Sequence, residues 1–236
     1  ENEFKTSRMT IEAYRTKIAN LFSTMDIVKL GGATLRLSNR ELFDISIGKR
    51  ILNRELVANG DVPVYSANVL EPFGMIDRLL ITDFSKNGTI PIYSANVFEE
   101  FGRINKQNIS DYSVPSIIWG IDGDWMVNYI KKDQPFFPTD HCGVLRVNED
   151  TLNPHFIMYM LEIAGRRAGF SRSYRASIDR LEGLTIPAVP LKKQNALMKK
   201  VEEFEGKINE ELAKMANLES KRRSIVESFI APNKAS

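Results

Sequence analysis

Residues 166–180 read RRAGFSRSYRASIDR. Five arginines are interleaved there with Phe170, Tyr174, three serines and Asp179. Arginine pairs bidentately with phosphate and reads guanine, aromatic rings stack on bases, and serine hydroxyls donate to phosphate. Arg166, Arg167, Arg172, Ser173, Tyr174 and Arg175 are therefore candidate nucleic-acid contacts. Lys131 and Lys132 add a second, weaker basic point. The plainer reading of the same residues is an arginine-rich solvated loop.

A second set of candidates comes from an internal repeat. Residues 60–77 (GDVPVYSANVLEPFGMID) and 88–105 (GTIPIYSANVFEEFGRIN) match at 11 of 18 positions, 28 residues apart. Each copy predicts a strand, a turn at Ser-Ala-Asn and a second short strand ending at Phe-Gly. The repeat is either a duplicated scaffold hairpin or a pair of turns facing a ligand. In the second case Tyr65, Asn68, Tyr93, Ser94 and Asn96 can donate to phosphates or base edges.

Catalytic constellations do not assemble from the remaining residues. There is no glycine-rich phosphate loop, no Gly-x-Ser-x-Gly elbow and no His-Glu-x-x-His. His141 and Cys142 are adjacent in a strand-like run, so their side chains point to opposite faces. That puts Cys142 in a core and His141 at a surface or in a local hydrogen bond. Asp122 and Asp124 read as a turn before a cation site. Asn153-Pro154-His155-Phe156 approaches the tetrapeptide with which amino-group DNA methyltransferases grip their target. His stands at its third position, however, and Asn-Pro is fully explained as a helix start. Glu205-Gly206-Lys207 lies inside a helical pattern and is rejected as a nuclease site. The expectation is no catalysis, no metal and no cofactor.

Composition narrows the class. One cysteine among 236 residues makes no internal disulfide. No apolar run approaches the ~20 residues of a membrane span. The first 22 residues carry charges throughout and lack a signal-peptide core. A cytoplasmic protein is expected, without membrane contact. The chain begins at Glu1, which suits a processed chain or one cut from a longer protein. Net charge is +2, but it is unevenly placed. Residues 1–165 hold 17 basic and 21 acidic groups, and the basic surplus begins with the arginines at 166–180.

The elements that must carry these residues follow from periodicity. Residues 10–23 predict a short amphipathic helix capped by Thr10. VKL, LFDISIG, VPVYSA, LLITDF, IPIYSA, SIIWGI, WMVNYI and CGVLRV predict strands between 24 and 150. Residues 154–165 predict a helix with Asn153 as N-cap and Gly165 as its stop. From 191 to 231 apolar residues recur at heptad spacing: Leu197, Val201, Phe204, Ile208, Met215, Leu218, Ile225 and Phe229. That is a coiled-coil seam about 60 Å long. The lead-in helix is too short to face all of it. A second copy, antiparallel, is therefore the expected partner, making a homodimer through this helix. Glu211 and Arg222, both on the seam, would pair across the two copies.

In their order these motifs resemble one half of a type I restriction–modification specificity subunit, the form with a single target recognition domain. Ile90-Pro-Ile-Tyr-Ser-Ala-Asn96 is similar to that family's Ile-Pro-Val-Tyr-Gly-x-Asn element. Ile117-Ile-Trp-Gly-Ile-Asp-Gly-Asp-Trp125 resembles its glycine-bearing strand turn, and Phe136-Phe-Pro-Thr-Asp140 the aromatic-Thr-Asp stretch after it. Ile186-Pro-Ala-Val-Pro-Leu-Lys-Lys-Gln194 resembles the segment that opens the long helix, with Ala188-Val189 in place of Leu-Pro. The resemblance implies an α+β fold: a β-rich, mixed or antiparallel recognition domain at 24–190, then a dimerisation and spacer helix at 191–231. Residues 1–23 form the lead-in helix and 232–236 a tail. It implies a non-catalytic reader of double-stranded DNA that directs a partner adenine methyltransferase to a bipartite site, with a restriction or translocase subunit as a further partner. Two alternatives stay open: the recognition part of a fused methyltransferase–restriction polypeptide, and a coiled-coil adaptor that binds protein and not DNA.

Overall fold

The structure, a computed structural model, describes residues 2–23, 32–48, 62–64, 74–76, 90–93, 97–98, 102–104 and 109–230. The expected strands at 28–30 and 79–84 lie outside the described residues. So do both Ser-Ala-Asn turns, with Tyr65, Asn68, Ser94 and Asn96. The chain divides into two units, Gly32–Leu191 and Glu1–Gly31 with Lys192–Ser236.

The larger unit is built on a four-stranded antiparallel sheet. It contains β2 (Phe43–Ile47), β7 (Ser116–Gly120), β8 (Val127–Ile130) and β10 (Cys142–Val147), ordered β2-β10-β7-β8. Every residue of β7 is buried, as expected of a strand covered on both faces. Alternation then sorts its side chains. Ile118 joins Val97, Ile130, Phe136, Cys142 and Val144 in one apolar cluster. Trp119 points to the opposite face and lies on Gly143, its cross-strand partner. A Cβ on Gly143 would stand 2.2 Å from that ring, so the pair requires glycine. Trp119 also donates through Nε1 to the Ala176 carbonyl (2.9 Å). Burial pushes the Cys142 thiol far up from its usual range, so it is an inert core group.

Helix α2 (Pro154–Ala168) packs on β7 and β8 through Phe156, Ile157, Met160 and Leu161. Its start agrees with the sequence: Asn153 accepts from the Phe156 amide (3.0 Å) and Pro154 occupies the first turn. Its end does not. Gly165 was expected to stop the helix, yet the helix runs on to Ala168 and ends at Gly169, which adopts φ 78. The reason is a neighbour distant in sequence. The Trp125 ring fills the space over Gly165, where a Cβ would come within 2.3 Å of it. Gly165 is thus a packing glycine and Gly169 the left-handed cap. A five-residue helix, α3 (Ile178–Glu182), follows where the sequence suggested only a polar loop. Strands β1 (Thr34–Arg36) and β11 (Thr185–Pro187) then pair antiparallel and close the unit.

The repeat is a pair of hairpins. β3 (Val62–Val64) pairs with β4 (Gly74–Ile76), and β5 (Ile90–Tyr93) with β6 (Gly102–Ile104). The registers are the same after a shift of 28: Val62 faces Ile76 and Ile90 faces Ile104. The second strand of each begins at the Phe-Gly glycine, where the sequence suggested that it ended. Among the described residues, β5 gains a further strand, pairing in parallel with β9 (Phe137–Pro138), and β3 does not.

The smaller unit holds α1 (Asn2–Ser23) and α4 (Leu191–Ile230). α1 starts eight residues before the expected Thr10. Nothing in residues 2–9 breaks a helix, and the Thr10 hydroxyl turns back to donate to the Thr6 carbonyl (3.0 Å) instead of capping. Its buried residues, Ser7, Ile11, Ile18 and Phe22, continue a seam that an apolar count misses at Ser7. Tyr14 lies on Phe204 (ring centroids 5.7 Å apart) and Ser7 hydrogen-bonds Glu211. Stepping seven residues back on one helix and seven forward on the other makes the pair antiparallel. The lead-in helix is, as expected, too short to face all of α4, but it does face the first half. α1 is about 33 Å long and α4 about 60 Å, so α1 faces only part of the seam. Val201 is fully buried, Leu197, Phe204, Ile208, Met215 and Leu218 are half-buried, and Ile225 is 58% exposed. The Phe229 side chain lies outside the described residues. Glu211, expected to await Arg222, is already engaged by Lys214 Nζ (2.6 Å) and Ser7. Those two hydrogen bonds hold its carboxyl below the ordinary carboxylate range.

Candidate nucleic-acid interface

The arginine-rich segment is a short exposed turn clamped at both ends. Phe170 is buried, and its amide donates to the Gly165 carbonyl (3.2 Å). Ala176 is buried too, its amide donating to the Ile121 carbonyl (3.1 Å). Between these anchors Ser171 and Tyr174 exchange two backbone hydrogen bonds, each 3.0 Å, which closes a tight turn with Arg172 and Ser173 at its tip. The hydroxyls of Ser171 and Ser173 lie 3.2 Å apart.

Aromatic packing supports the turn from beneath. Trp125 meets Phe170 at 5.2 Å, Phe170 meets Tyr174 at 5.6 Å, and the Arg180 guanidinium lies 4.2 Å over the Tyr174 ring. Trp125 is itself fixed by donation from Nε1 to the Glu162 carbonyl (2.9 Å). Between Phe170 and Arg180, Tyr174 keeps 42% of its surface exposed.

Three arginines of this group face acids of the same unit. Arg166 pairs with Glu162 one turn earlier on α2. Arg172 reaches Asp124 at 3.5 Å, and both are well exposed. Arg175 donates to Asp122, whose side chain is only 13% exposed and which also pairs with His141 Nδ1. Asp122 and Asp124 thus serve the arginines, and among the described residues no group of acids, histidines and cysteine is placed to hold a metal. Exposed ion pairs contribute only ~0–1 kcal/mol, so phosphate can displace Glu162 or Asp124 cheaply. Asp122 is held harder, by burial and by two partners.

The other candidates stand elsewhere on the unit. Lys131 and Lys132 are exposed at the end of β8, in a turn where Asp133 takes the unusual φ 58. Arg167 is exposed at the last turn of α2. Tyr93 ends β5, its side chain outside the described residues. Close to the N-terminus of α2, His155 stacks on Tyr129 (4.8 Å, 10° between planes). Asn153 caps that helix with its side chain, so the Asn-Pro pair is structural.

Reading the sequence alone missed Asp122, His141 and Trp125 as parts of this surface. Only one signal was present: an arginine excess at 166–180 that had to find its counter-ions in the acidic body.

A family model described as "Type I restriction modification DNA specificity domain" matches residues 74–219. That range includes the second hairpin and the arginine turn, and of the first hairpin only β4. No curated protein matches the chain. Among solved structures, the chain is similar to the type I restriction–modification S subunit from M. genitalium, with a TM-score of 0.63 and 15% identity over 99% of this chain and 58% of that one. It is similar to the HsdS subunit from Thermoanaerobacter tengcongensis, with a TM-score of 0.54 and 14% identity over 94% of this chain and 53% of that one. A chain from a structure titled for complex assembly and conformational transition of the type I R-M system gives 0.52 and 15%, covering 96% and 55%. These likenesses show the fold, an α+β unit with a long C-terminal helix. The chain spans a little over half the length of the solved chains it matches.

Proposed function

The chain belongs to the type I restriction–modification DNA specificity domain family, and from that premise we propose that it is the sequence-reading part of such a system. It binds double-stranded DNA without catalysis and directs a partner adenine methyltransferase, and a restriction or translocase subunit where one is present, in the cytoplasm. The observation that carries this reading is the exposed Arg172-Ser173-Tyr174 turn, clamped by buried Phe170 and Ala176 inside the matched segment. Exposed cations and a partly exposed tyrosine on a rigid base suit phosphate and base contact. Among the described residues no helix is long and apolar enough to cross a membrane.

Two copies of this chain supply the two half-sites. Support comes from α4. Past the reach of α1 it exposes Ile225 and Val226, both more than 45% accessible. An antiparallel pairing of two such ends gives a two-fold dimer and a palindromic bipartite site.

Fluorescence anisotropy with random duplex across a salt series tests the DNA reading. Binding is expected to weaken steeply and log-linearly with salt, as phosphate contacts release counter-ions. Absence of binding at low salt would favour the protein-binding adaptor. Sedimentation of the chain, and of Ile225→Asp, tests the dimer: the variant is expected to be monomeric.

A further inference from the structure

We propose that Asp122 is a positioning residue of the DNA interface, holding Arg175 back so that Arg172, Ser173 and Tyr174 meet the duplex. The inference rests on the DNA-binding reading above and revises which arginines touch DNA within it.

The argument is one of unequal carboxylates. Arg172 stands at the tip of the turn and Arg175 just past it, three residues on, and each faces an aspartate of the segment joining β7 to β8. Asp124 is 68% exposed and 3.5 Å away, so Arg172 leaves it at little cost when phosphate arrives. Asp122 is largely buried and takes a second hydrogen bond from His141, which immediately precedes β10, with Asp140 3.8 Å beyond on His141 Nε2. Removing Arg175 would leave that charge half-compensated in a poorly solvated place. The backbone around Arg175 is fixed as well. Its carbonyl accepts from Arg180 Nη1 (2.9 Å), and the next residue, Ala176, is clamped to Ile121 and Trp119. Three separate chain segments, β7–β8, β10 and the turn, therefore meet at one carboxylate. An arginine so held makes a poor phosphate ligand and a good strut.

The test uses the intact chain and a consensus duplex selected by the wild type from a random library, compared with its scrambled counterpart. Arg172→Gln should weaken both duplexes and lower the salt slope by about one phosphate. Asp122→Asn and Arg175→Gln should each lose about tenfold of the consensus-to-scrambled ratio, with scrambled binding not weakened and the salt slope unchanged. Arg175→Lys, which can still reach Asp122, should restore most of the ratio. A merely structural defect would weaken both duplexes together and would not respond to lysine. The proposal is overturned if Arg175→Gln lowers the salt slope as Arg172→Gln does, or if both strut variants keep the ratio. Should Asp122→Asn fail to fold, Arg175→Gln decides, since it breaks the contact from the exposed side. A wild type that binds no duplex sinks the DNA reading and this inference with it; a selective wild type with unaffected strut variants sinks this inference alone.

Discussion

The two hairpins share a sequence and a register but not a setting. β5–β6 adds β9 in parallel, and the residue after its Ser-Ala-Asn turn, Val97, is fully buried. Asn128 of β8 donates to the Val97 carbonyl (2.7 Å), tying that copy to the central sheet. β3–β4 pairs only with itself among the described residues. Pro63 and Pro91 occupy the same place in both first strands and lack an amide donor, and the pairing of β5 with β9 begins at Ile92, just past the proline. Among the described residues, like hairpins thus have unlike settings. A short strand pair is marginal by itself, and neighbours decide whether it is core or appendage.

The sharpest way to break this contrast is a matched pair of substitutions. Val97→Asp places an unpaired charge in the apolar cluster with Ile118, Phe136 and Val144. It is expected to cost more than about 3 kcal/mol in urea denaturation. Val69→Asp, at the equivalent position of the first copy, is expected to cost less than half as much; equal costs would erase the distinction. Next in size, Asn128→Ala removes the tie to Val97 and should cost about 1–2 kcal/mol. A cost near zero would mean that burial alone anchors the second copy. On function, Tyr93→Ala should weaken duplex binding about tenfold and Tyr65→Ala less than twofold, if the anchored copy is the one aimed at DNA. The reverse order, in the same anisotropy assay, would make the first copy the reader. The smallest effect serves as a control outside both hairpins. The Glu211 carboxyl is depressed by hydrogen bonds from Lys214 and Ser7, so it stabilises the folded chain above its unfolded-state pKa. That contribution should fade as pH drops through the carboxylate range. Wild type should then lose slightly more thermal stability on acidification than Glu211→Gln does, with the difference between the hairpins unchanged.

Much of the frame was legible in the residues. Asn153-Pro154 opens α2 because a side-chain acceptor and a missing donor are local facts of a helix start. LFDISIG, SIIWGI and CGVLRV are strands because alternation or continuous burial follows from composition. Gly165 misled for an equally physical reason. A glycine near a helix end is a stop or a packing site, and only Trp125, forty residues earlier in the chain, decides which. The same holds for α1. Its seam passes through Ser7, a polar residue that a hydrophobic pattern skips and that Glu211 makes useful.

By itself the sequence determined the duplicated hairpin, the heptad seam of α4, the core place of Cys142 and the run of arginines with interleaved rings. All of these are set by side-chain type and short spacing. Tertiary structure decided which hairpin is tied to the core, which half of α4 meets α1, and which aspartate restrains which arginine. Those outcomes depend on groups far apart in the chain meeting at particular distances and degrees of burial. For Asp122 and Asp124, two residues apart and chemically identical, burial and a histidine make the difference, and neither can be read from spacing.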